Sequence, residues 1–170
     1  PRELRRLGAT KWEIKTINFA SPLAAPGGVS VTRYIPSSSS TNTDTYETHE
    51  YVVTAVKDNL VDESSQSSSA SVDNNIYVTG AKNTITWNAV SGASKYRVYK
   101  EQAGIYGFLG ETTATTIVDA NIAPNFSRTP PIYENEFAST DNYPGAVSYF
   151  EQRRVFAGTN NEPQTILMTK

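Results

Sequence analysis

The sequence of 170 residues contains no cysteine, one histidine, one methionine and two tryptophans. The absence of cysteine excludes a disulfide framework and a thiol nucleophile. A single histidine leaves too few soft ligands for a zinc, haem or iron–sulfur site. We therefore expect no metal, no other cofactor and no catalytic residues.

Long apolar runs and an excess of one charge are also missing. Apolar stretches extend over only a few residues, so no membrane-spanning helix is predicted. The 15 Lys and Arg residues are balanced by 17 Asp and Glu residues, which gives a net charge of −2. Because nucleic-acid binding usually requires a basic excess, this balance gives no indication of a nucleic-acid partner.

The residues that are abundant favour strands. Val, Ile and Thr together occupy 43 positions, whereas Leu occupies only six. This ratio excludes an all-α bundle and predicts an all-β fold. The length allows one domain with an appendage or two small domains.

Turn signals divide the chain into three parts. Pro22 and the Ala25-Pro26-Gly27-Gly28 turn indicate a boundary near residues 20–26, and Thr129-Pro130-Pro131 interrupts any later strand. We expect residues 1–23 to end an upstream domain, 24–124 to form a β-sandwich, and 125–170 to be a linker and the start of a downstream β-rich domain. The chain is accordingly interpreted as a fragment of a longer protein.

The central part contains several short strands separated by turns, a pattern typical of a sandwich. Residues 51–56 are apolar on both faces, which favours a central strand. Later strands are predicted at 84–88, 95–100, 106–110 and 115–119. Because aromatic and β-branched side chains bury the most area here, the expected core anchors are Trp87, Tyr96, Val98, Tyr51 and Val53.

Five segments of the central part resemble strands of a fibronectin type III module. Ile85-Thr86-Trp87 resembles its strand B, residues 96–99 its strand C, and 116–119 its strand E. Residues 50–56 resemble strand F, followed by a serine-rich strand G at 62–71. In that family strand F follows strand E, whereas here it precedes the Trp strand by more than thirty positions.

This order leaves two alternatives for residues 24–124. They form either one immunoglobulin-like sandwich with a permuted strand order or two truncated modules in tandem. A half-module buries too little apolar surface to offset its chain entropy, so we favour one sandwich. One sandwich requires that strand 50–57 pair with strand 95–101 in the same sheet.

A wider resemblance links the chain to bacteriophage tail proteins, in particular the large tail tubular or nozzle-like protein of short-tailed phages and prophages. Its most specific part is residues 143–166, which include Tyr143-Pro144-Gly145 and the run from Phe150 to Gly158. The other matching motifs are 4–12, 51–56, 63–64, 85–87 and 96–99. The resemblance implies a structural role without catalytic residues, other tail subunits and adjacent domains of the same chain as partners, and a place in the virion after synthesis in the bacterial cytoplasm.

Candidate chemistry is sparse. His49 has no second His or Cys near it in sequence, so a structural role is favoured. Asp58, Asp62 and Glu63 lack the spacing of a calcium loop and are interpreted as a solvated turn. The pair Glu134 and Glu136 has the residue types of a glycosidase but lies in a Pro-rich linker, so an enzyme fragment is the least favoured alternative.

Two sets of exposed side chains are candidates for binding. An alternative function is that of a host-surface or carbohydrate-binding module of a larger extracellular or virion protein, for which a bacterial surface glycan would be the ligand. Tyrosines near loops would contact it: Tyr34, Tyr46, Tyr77, Tyr106 and Tyr133. A possible interaction surface between subunits or domains consists of Arg5, Arg6, Arg153 and Arg154.

Overall fold

The computed structural model describes residues 2–17, 19–36, 43–133, 137, 139 and 141–169. Within these residues the regular structure is all-β, apart from one 3₁₀ turn at Thr43–Thr45, as the composition predicts. The strands are β1 (Arg2–Arg6), β2 (Trp12–Thr16), β3 (Ser30–Tyr34), β4 (Glu47–Val56), β5 (Ala70–Asn74), β6 (Lys82–Thr86), β7 (Lys95–Gln102), β8 (Ile105–Thr112), β9 (Thr116–Asp119), β10 (Ala146–Phe150), β11 (Arg153–Ala157) and β12 (Ile166–Met168).

Contacts between residues group the chain into two compact units. The first, called here the sandwich unit, is Ser21–Tyr133, and the second, the terminal unit, combines Pro1–Ala20 with Glu134–Lys170. Residues 125–133 thus group with the sandwich, and the two ends of the chain group together. The sequence-based division into 1–23, 24–124 and 125–170 stays a prediction about the domains of a longer protein.

The sandwich unit consists of two antiparallel sheets. One has the strand order β3-β6-β9 and the other β5-β4-β7-β8. Strand β4 pairs with β7, with Tyr51 opposite Lys100 and Val56 opposite Lys95. The predicted pairing of strand 50–57 with strand 95–101 is therefore confirmed, and so is the central position of this strand. Membership of the fibronectin type III family stays a prediction.

The core lies between the two sheets. Alternation along β4 turns Tyr51, Val53 and Ala55 inward, where they contact residues of β6 and β7. The edge of the indole ring of Trp87 approaches the ring of Tyr96, with 5.4 Å between the ring centroids. The cluster also includes Leu23, Ile85, Val98 and Leu109, and Val29, Val31, Val90, Ala93 and Ile117 pack against it.

The outer face of β4 is also buried, and a serine-rich segment runs along the edge of the strand that β7 leaves free. Val52, Thr54 and Val56 are at most 1% exposed. The backbone N–H groups of Ser64 and Ser67 donate to the carbonyls of Ala55 (2.7 Å) and Val53 (2.9 Å). In return the Oγ atoms of Ser64 and Ser67 accept from the backbone N–H groups of Ala55 and Val53, both at 2.9 Å.

Serine hydroxyls thus replace backbone carbonyls as acceptors along this edge of β4. The serine-rich region predicted as a strand at 62–71 is for that reason regular only from Ala70 onward, in β5. An isolated bridge between Val56 and Glu63 is the only ladder pairing before β5 in this segment. A side-chain acceptor does not impose the repeated backbone geometry of a ladder, so the segment follows β4 without becoming a strand.

Hydrogen bonds and an ion pair of Glu63 attach the same segment to β4 and β7. Its Oε1 accepts from the hydroxyls of Thr54 (2.5 Å) and Tyr99 (2.6 Å), and its Oε2 pairs with Arg97. The hydroxyl of Tyr133 donates to the backbone carbonyl of Glu63. The predicted solvated turn is therefore only partly observed, since Asp62 pairs with Lys57 near the surface while Glu63 is buried.

The terminal unit contains a hairpin and a three-stranded sheet. β1 pairs with β2, with Leu4 opposite Ile14 and Arg6 opposite Trp12. β10, β11 and β12 form an antiparallel sheet in that order. Three phenylalanines, Phe19, Phe137 and Phe156, pack with ring centroids 5.1 to 5.5 Å apart and form the apolar centre of this unit.

Candidate functional site

The five expected core anchors all lie inside the sandwich. Tyr51, Val53 and Val98 are fully buried, and Trp87 and Tyr96 are about as inaccessible, at 5% and 4% exposure. The phenol oxygen of Tyr96 accepts from the backbone N–H of Val90 at 2.9 Å. These residues hold the sheets together and are removed from any binding surface.

The four arginines expected to form an interaction surface lie in the terminal unit, and two of them share a carboxylate. Glu3 pairs with Arg5 and with Arg154, whose Nη2 lies 2.5 Å from its Oε2. The Glu3 carboxylate therefore links residues from opposite ends of the chain. Arg6 instead donates to the carbonyl of Gly8 at 3.1 Å and stacks on its cross-strand neighbour Trp12. Arg153 is exposed on β11.

The terminal unit also exposes many apolar side chains. Ten of the 19 large apolar side chains exposed in the described residues belong to it, although it contains about half as many residues as the sandwich unit. Leu4 and Ile14 are a cross-strand pair, 64% and 67% exposed, beside the pair Arg6 and Trp12. The others are Leu7, Tyr143, Val147, Tyr149, Phe150, Ile166 and Met168.

The five tyrosines expected to bind a glycan do not form a single row. Tyr34 and Tyr46 stack with Lys82 and Arg33, respectively. Tyr106 and Tyr133 line a groove of about 480 Å³ together with Pro130, Pro131 and Ile132. Burial and a hydrogen bond to Glu50 raise the pKa of Tyr106 to about 12. Tyr77 is 65% exposed and lines a different cavity.

That cavity, called here the end cleft, lies at one end of the sandwich and measures about 440 Å³. Four segments form it: the start of β4, the turn between β5 and β6, the hairpin between β7 and β8, and the loop after β9. Its lining residues are Glu47, Thr48, His49, Tyr77, Lys100, Glu101, Gln102, Ala103, Asn121, Ile122, Ala123 and Pro124.

Gly107 on β8 permits the close approach of the loop that forms one wall of the end cleft. A Cβ at this position would lie 2.8 Å from the Cβ of Pro124 and 3.0 Å from the ring of Phe126. The backbones of Phe108 and Asn125 can therefore exchange two hydrogen bonds, at 3.0 and 2.8 Å. This contact fixes residues 121–126 beside the strands.

A buried polar network, called here the polar floor, extends inward from Lys100, which lines the end cleft. The Lys100 ammonium lies 2.9 Å from Oδ2 of Asp119, a carboxylate with no solvent exposure. The Tyr51 hydroxyl donates to the same oxygen at 2.8 Å and accepts from the Asn83 amide at 2.9 Å. The Asn74 amide donates in turn to Oδ1 of Asn83 at 2.7 Å.

His49 extends this network to the cleft wall. Its Nε2 lies 3.1 Å from the backbone carbonyl of Asn74 and is the donor to it. Burial and the nearby Lys100 ammonium lower the pKa of His49 below its ordinary value of 6.5. The lowered pKa favours the neutral imidazole, and the structural role that the sequence favours for His49 stays a prediction.

The polar floor was not foreseen, although the sequence contains a signal for it. His49, Asn83, Lys100 and Asp119 each lie two positions from an inward-facing core residue of the same strand. Since side chains two apart share a face, these polar residues continue the core pattern at one common end of the sandwich. A polar side chain at an inward-facing strand position indicates a buried network.

The described part of the chain contains no group of three or more His, Cys, Asp or Glu residues placed to hold a metal ion. Within the same residues no helix has the length and apolar character needed to cross a membrane. Glu134 and Glu136, the carboxylate pair considered for glycoside cleavage, lie outside the described residues.

Comparisons of this chain with protein-family models, with curated proteins and with solved structures give no significant match. The function is therefore inferred from the sequence motifs and from the geometry above.

Proposed function

We propose that this chain is a structural part of a bacteriophage tail, in which it acts as a non-enzymatic assembly module. The observation that carries the proposal is the exposed face of the β1–β2 hairpin. There the cross-strand pair Leu4 and Ile14 lies beside the pair Arg6 and Trp12, so that apolar and cationic side chains are neighbours on one face. Apolar surface of this kind is usually covered by a partner.

The partners in this proposal are other tail subunits and neighbouring domains of the same protein. Arginine and aromatic side chains are enriched at the centres of protein interfaces, which suits the composition of this face. The sandwich unit, whose two sheets share a continuous core, supplies the rigid part of the module. The resemblance of residues 143–166 to tail tubular proteins is the reason for proposing a phage tail as the assembly.

The test is mass spectrometry of phage particles purified from a lysate of the bacterium that encodes the chain. We expect peptides of the chain in intact, density-purified virions at a ratio comparable to that of other tail proteins. Peptides that occur in the lysate but never in the particles would contradict the proposal. A host cytoplasmic enzyme of similar abundance serves as the contamination control.

A further inference from the structure

The end cleft has a size and lining that suit a sugar. Ligand sites in proteins commonly measure about 300–1,000 Å³, and the end cleft, at about 440 Å³, lies at the small end of that range. Most of its lining is polar, which separates it from the groove at Pro130 and Pro131 and disfavours a purely apolar ligand.

The lining of the end cleft includes both hydrogen-bond donors and hydrogen-bond acceptors. The carboxylates of Glu47 and Glu101 are acceptors, and the amides of Gln102 and Asn121 supply donors. Each hydroxyl group of a sugar both donates and accepts a hydrogen bond. A ring of hydroxyls therefore matches this mixed set better than a ligand that offers donors alone or acceptors alone.

Tyr77 supplies an aromatic surface at the same place. The side chain is 65% exposed, and its hydroxyl lies 3.3 Å from Oε2 of Glu47 and donates to it. This hydrogen bond favours one orientation of the ring, which reduces the entropy lost on binding. The C–H face of a pyranose ring packs well against such a ring.

The charged side chains in and beside the end cleft determine which charge a bound sugar can carry. Lys100 is neutralised by Asp119, so the carboxylates of Glu47 and Glu101 determine the charge that a ligand meets. A carboxylate on the ligand would be repelled, whereas a neutral hexose or one with an amino group would be accepted.

We propose that the end cleft binds a neutral or amino-bearing hexose unit of a glycan, with Tyr77 as the stacking platform and Glu47, Glu101, Gln102 and Asn121 as hydrogen-bonding partners. This activity goes beyond the assembly role proposed above and does not depend on it. A chain absent from virions would still be expected to bind the sugar, and a failure to bind sugar would leave the assembly role intact.

The first experiment is a printed array of neutral, amino-bearing and acidic glycans probed with the full chain. Tyr77→Ala is the test variant, and Tyr34→Ala is the matched control, because Tyr34 is also exposed (53%) but does not line the end cleft. We expect signals on neutral or amino-bearing glycans that Tyr77→Ala loses and Tyr34→Ala keeps. No signal above that of Tyr77→Ala, or signals confined to acidic glycans, would overturn the proposal.

The second experiment locates the ligand by titrating the ¹⁵N-labelled full chain with D-glucose, N-acetyl-D-glucosamine, D-glucosamine, D-glucuronate and ethanolamine. We expect saturable shifts of cleft amides, such as those of Gln102 and Asn121, with dissociation constants of about 1–10 mM for at least one of the first three probes. Tyr77→Ala should weaken binding at least about tenfold, and its unchanged amide dispersion should show that it folds.

Two results of the titration would overturn the proposal. One is the absence of shifts at the cleft amides with any of the three sugars at about 50 mM. The other is a response to ethanolamine equal to that of glucosamine, with none to the two neutral sugars, because the cleft would then recognise only an amine.

Discussion

Asp119 is a fully buried carboxylate that connects three parts of the sandwich. It accepts from Tyr51 on β4, pairs with Lys100 on β7 and accepts from the backbone N–H of Ile122 at 2.7 Å. Removing one partner of a buried ion pair leaves the other charge without compensation. Single residues of this kind affect both the stability of the sandwich and the shape of the end cleft.

Asp119→Asn should lower the free energy of unfolding by about 3–5 kcal/mol, because the Lys100 ammonium would stay buried without a counter-charge. The measurement is urea denaturation followed by circular dichroism. Asp62→Asn is the control, since its pair with Lys57 is 39% exposed on both sides and the variant should lose far less stability than Asp119→Asn. Equal losses in the two variants would contradict the assigned role of Asp119.

His49 should make the sandwich less stable in mild acid. Its pKa is below 6.5 in the folded protein, so the unfolded chain binds more protons as the pH falls through 6.5. Stability should therefore be fully present above pH 6.5 and decline below it, by at most about 1.4 kcal/mol per pH unit, until the folded pKa is passed.

The measurement for this prediction is urea denaturation at pH values between 7.5 and about 5, above the range in which ordinary carboxylates titrate. His49 is the only histidine of the chain, so His49→Gln should remove most of the slope. A slope that persists unchanged in His49→Gln would show that another group is responsible.

Among the elements, β4 depends on the serine-rich segment beside it. Between Val52 and Val56 one edge of this strand is paired with β7, and on the other edge the backbone N–H groups of Val53 and Ala55 donate to serine Oγ atoms. Such bonds satisfy the backbone without extending the sheet. They also protect β4 from pairing with a strand of another molecule.

Ser67→Ala should destabilise the sandwich by about 1–3 kcal/mol, because the buried N–H of Val53 loses its acceptor. Ser68→Ala, at an exposed position one residue later, should change stability by less than about 0.5 kcal/mol. Hydrogen exchange followed by NMR gives a local readout. The amide of Val53 should exchange faster in Ser67→Ala and at the original rate in Ser68→Ala; equal protection in both variants would contradict this account.

At the scale of the whole molecule, the two units differ in how completely they bury their apolar side chains. The sandwich unit encloses its aromatic anchors Tyr51, Trp87 and Tyr96 between two sheets, whereas strands β2 and β10 of the terminal unit are exposed along their whole length. A surface of this kind favours association.

The full chain should therefore self-associate reversibly at concentrations of about 10–100 μM, as measured by sedimentation velocity. Tyr149→Lys and Ile14→Lys, which place a charge on two strongly exposed positions of the terminal unit, should each shift the chain toward monomer. Val61→Lys, at an 81% exposed position of the sandwich unit, is the control and should not. A chain that stays monomeric over this range would contradict the prediction.

Much of the sandwich could be predicted from local patterns. The alternation along residues 51–56 and the aromatic anchors Trp87 and Tyr96 depend on side-chain periodicity and on apolar area, and both are properties of short segments. The pairing of β4 with β7 could also be predicted. A single sandwich has a core large enough to offset the chain entropy, whereas two truncated modules do not, and a single sandwich requires this pairing.

The end cleft and the serine edge could not be predicted in the same way. Tyr77 belongs to a turn, Glu101 and Gln102 end a strand, and Asn121 follows another, so nothing in sequence spacing brings them together. Likewise, the buried position of Glu63 depends on Arg97 and Tyr99, which lie more than thirty residues away.

The sequence by itself determined the all-β class, the central strand and the identity of the core anchors, because these follow from composition and from a period of two along each strand. Only the tertiary structure decided that Tyr77 and Asn121 line one cleft with His49 and Lys100 and that Glu3 joins Arg5 to Arg154. The reason is physical: long-range contacts depend on which strand ends lie side by side, and that order is set by the packing of both sheets around a shared core.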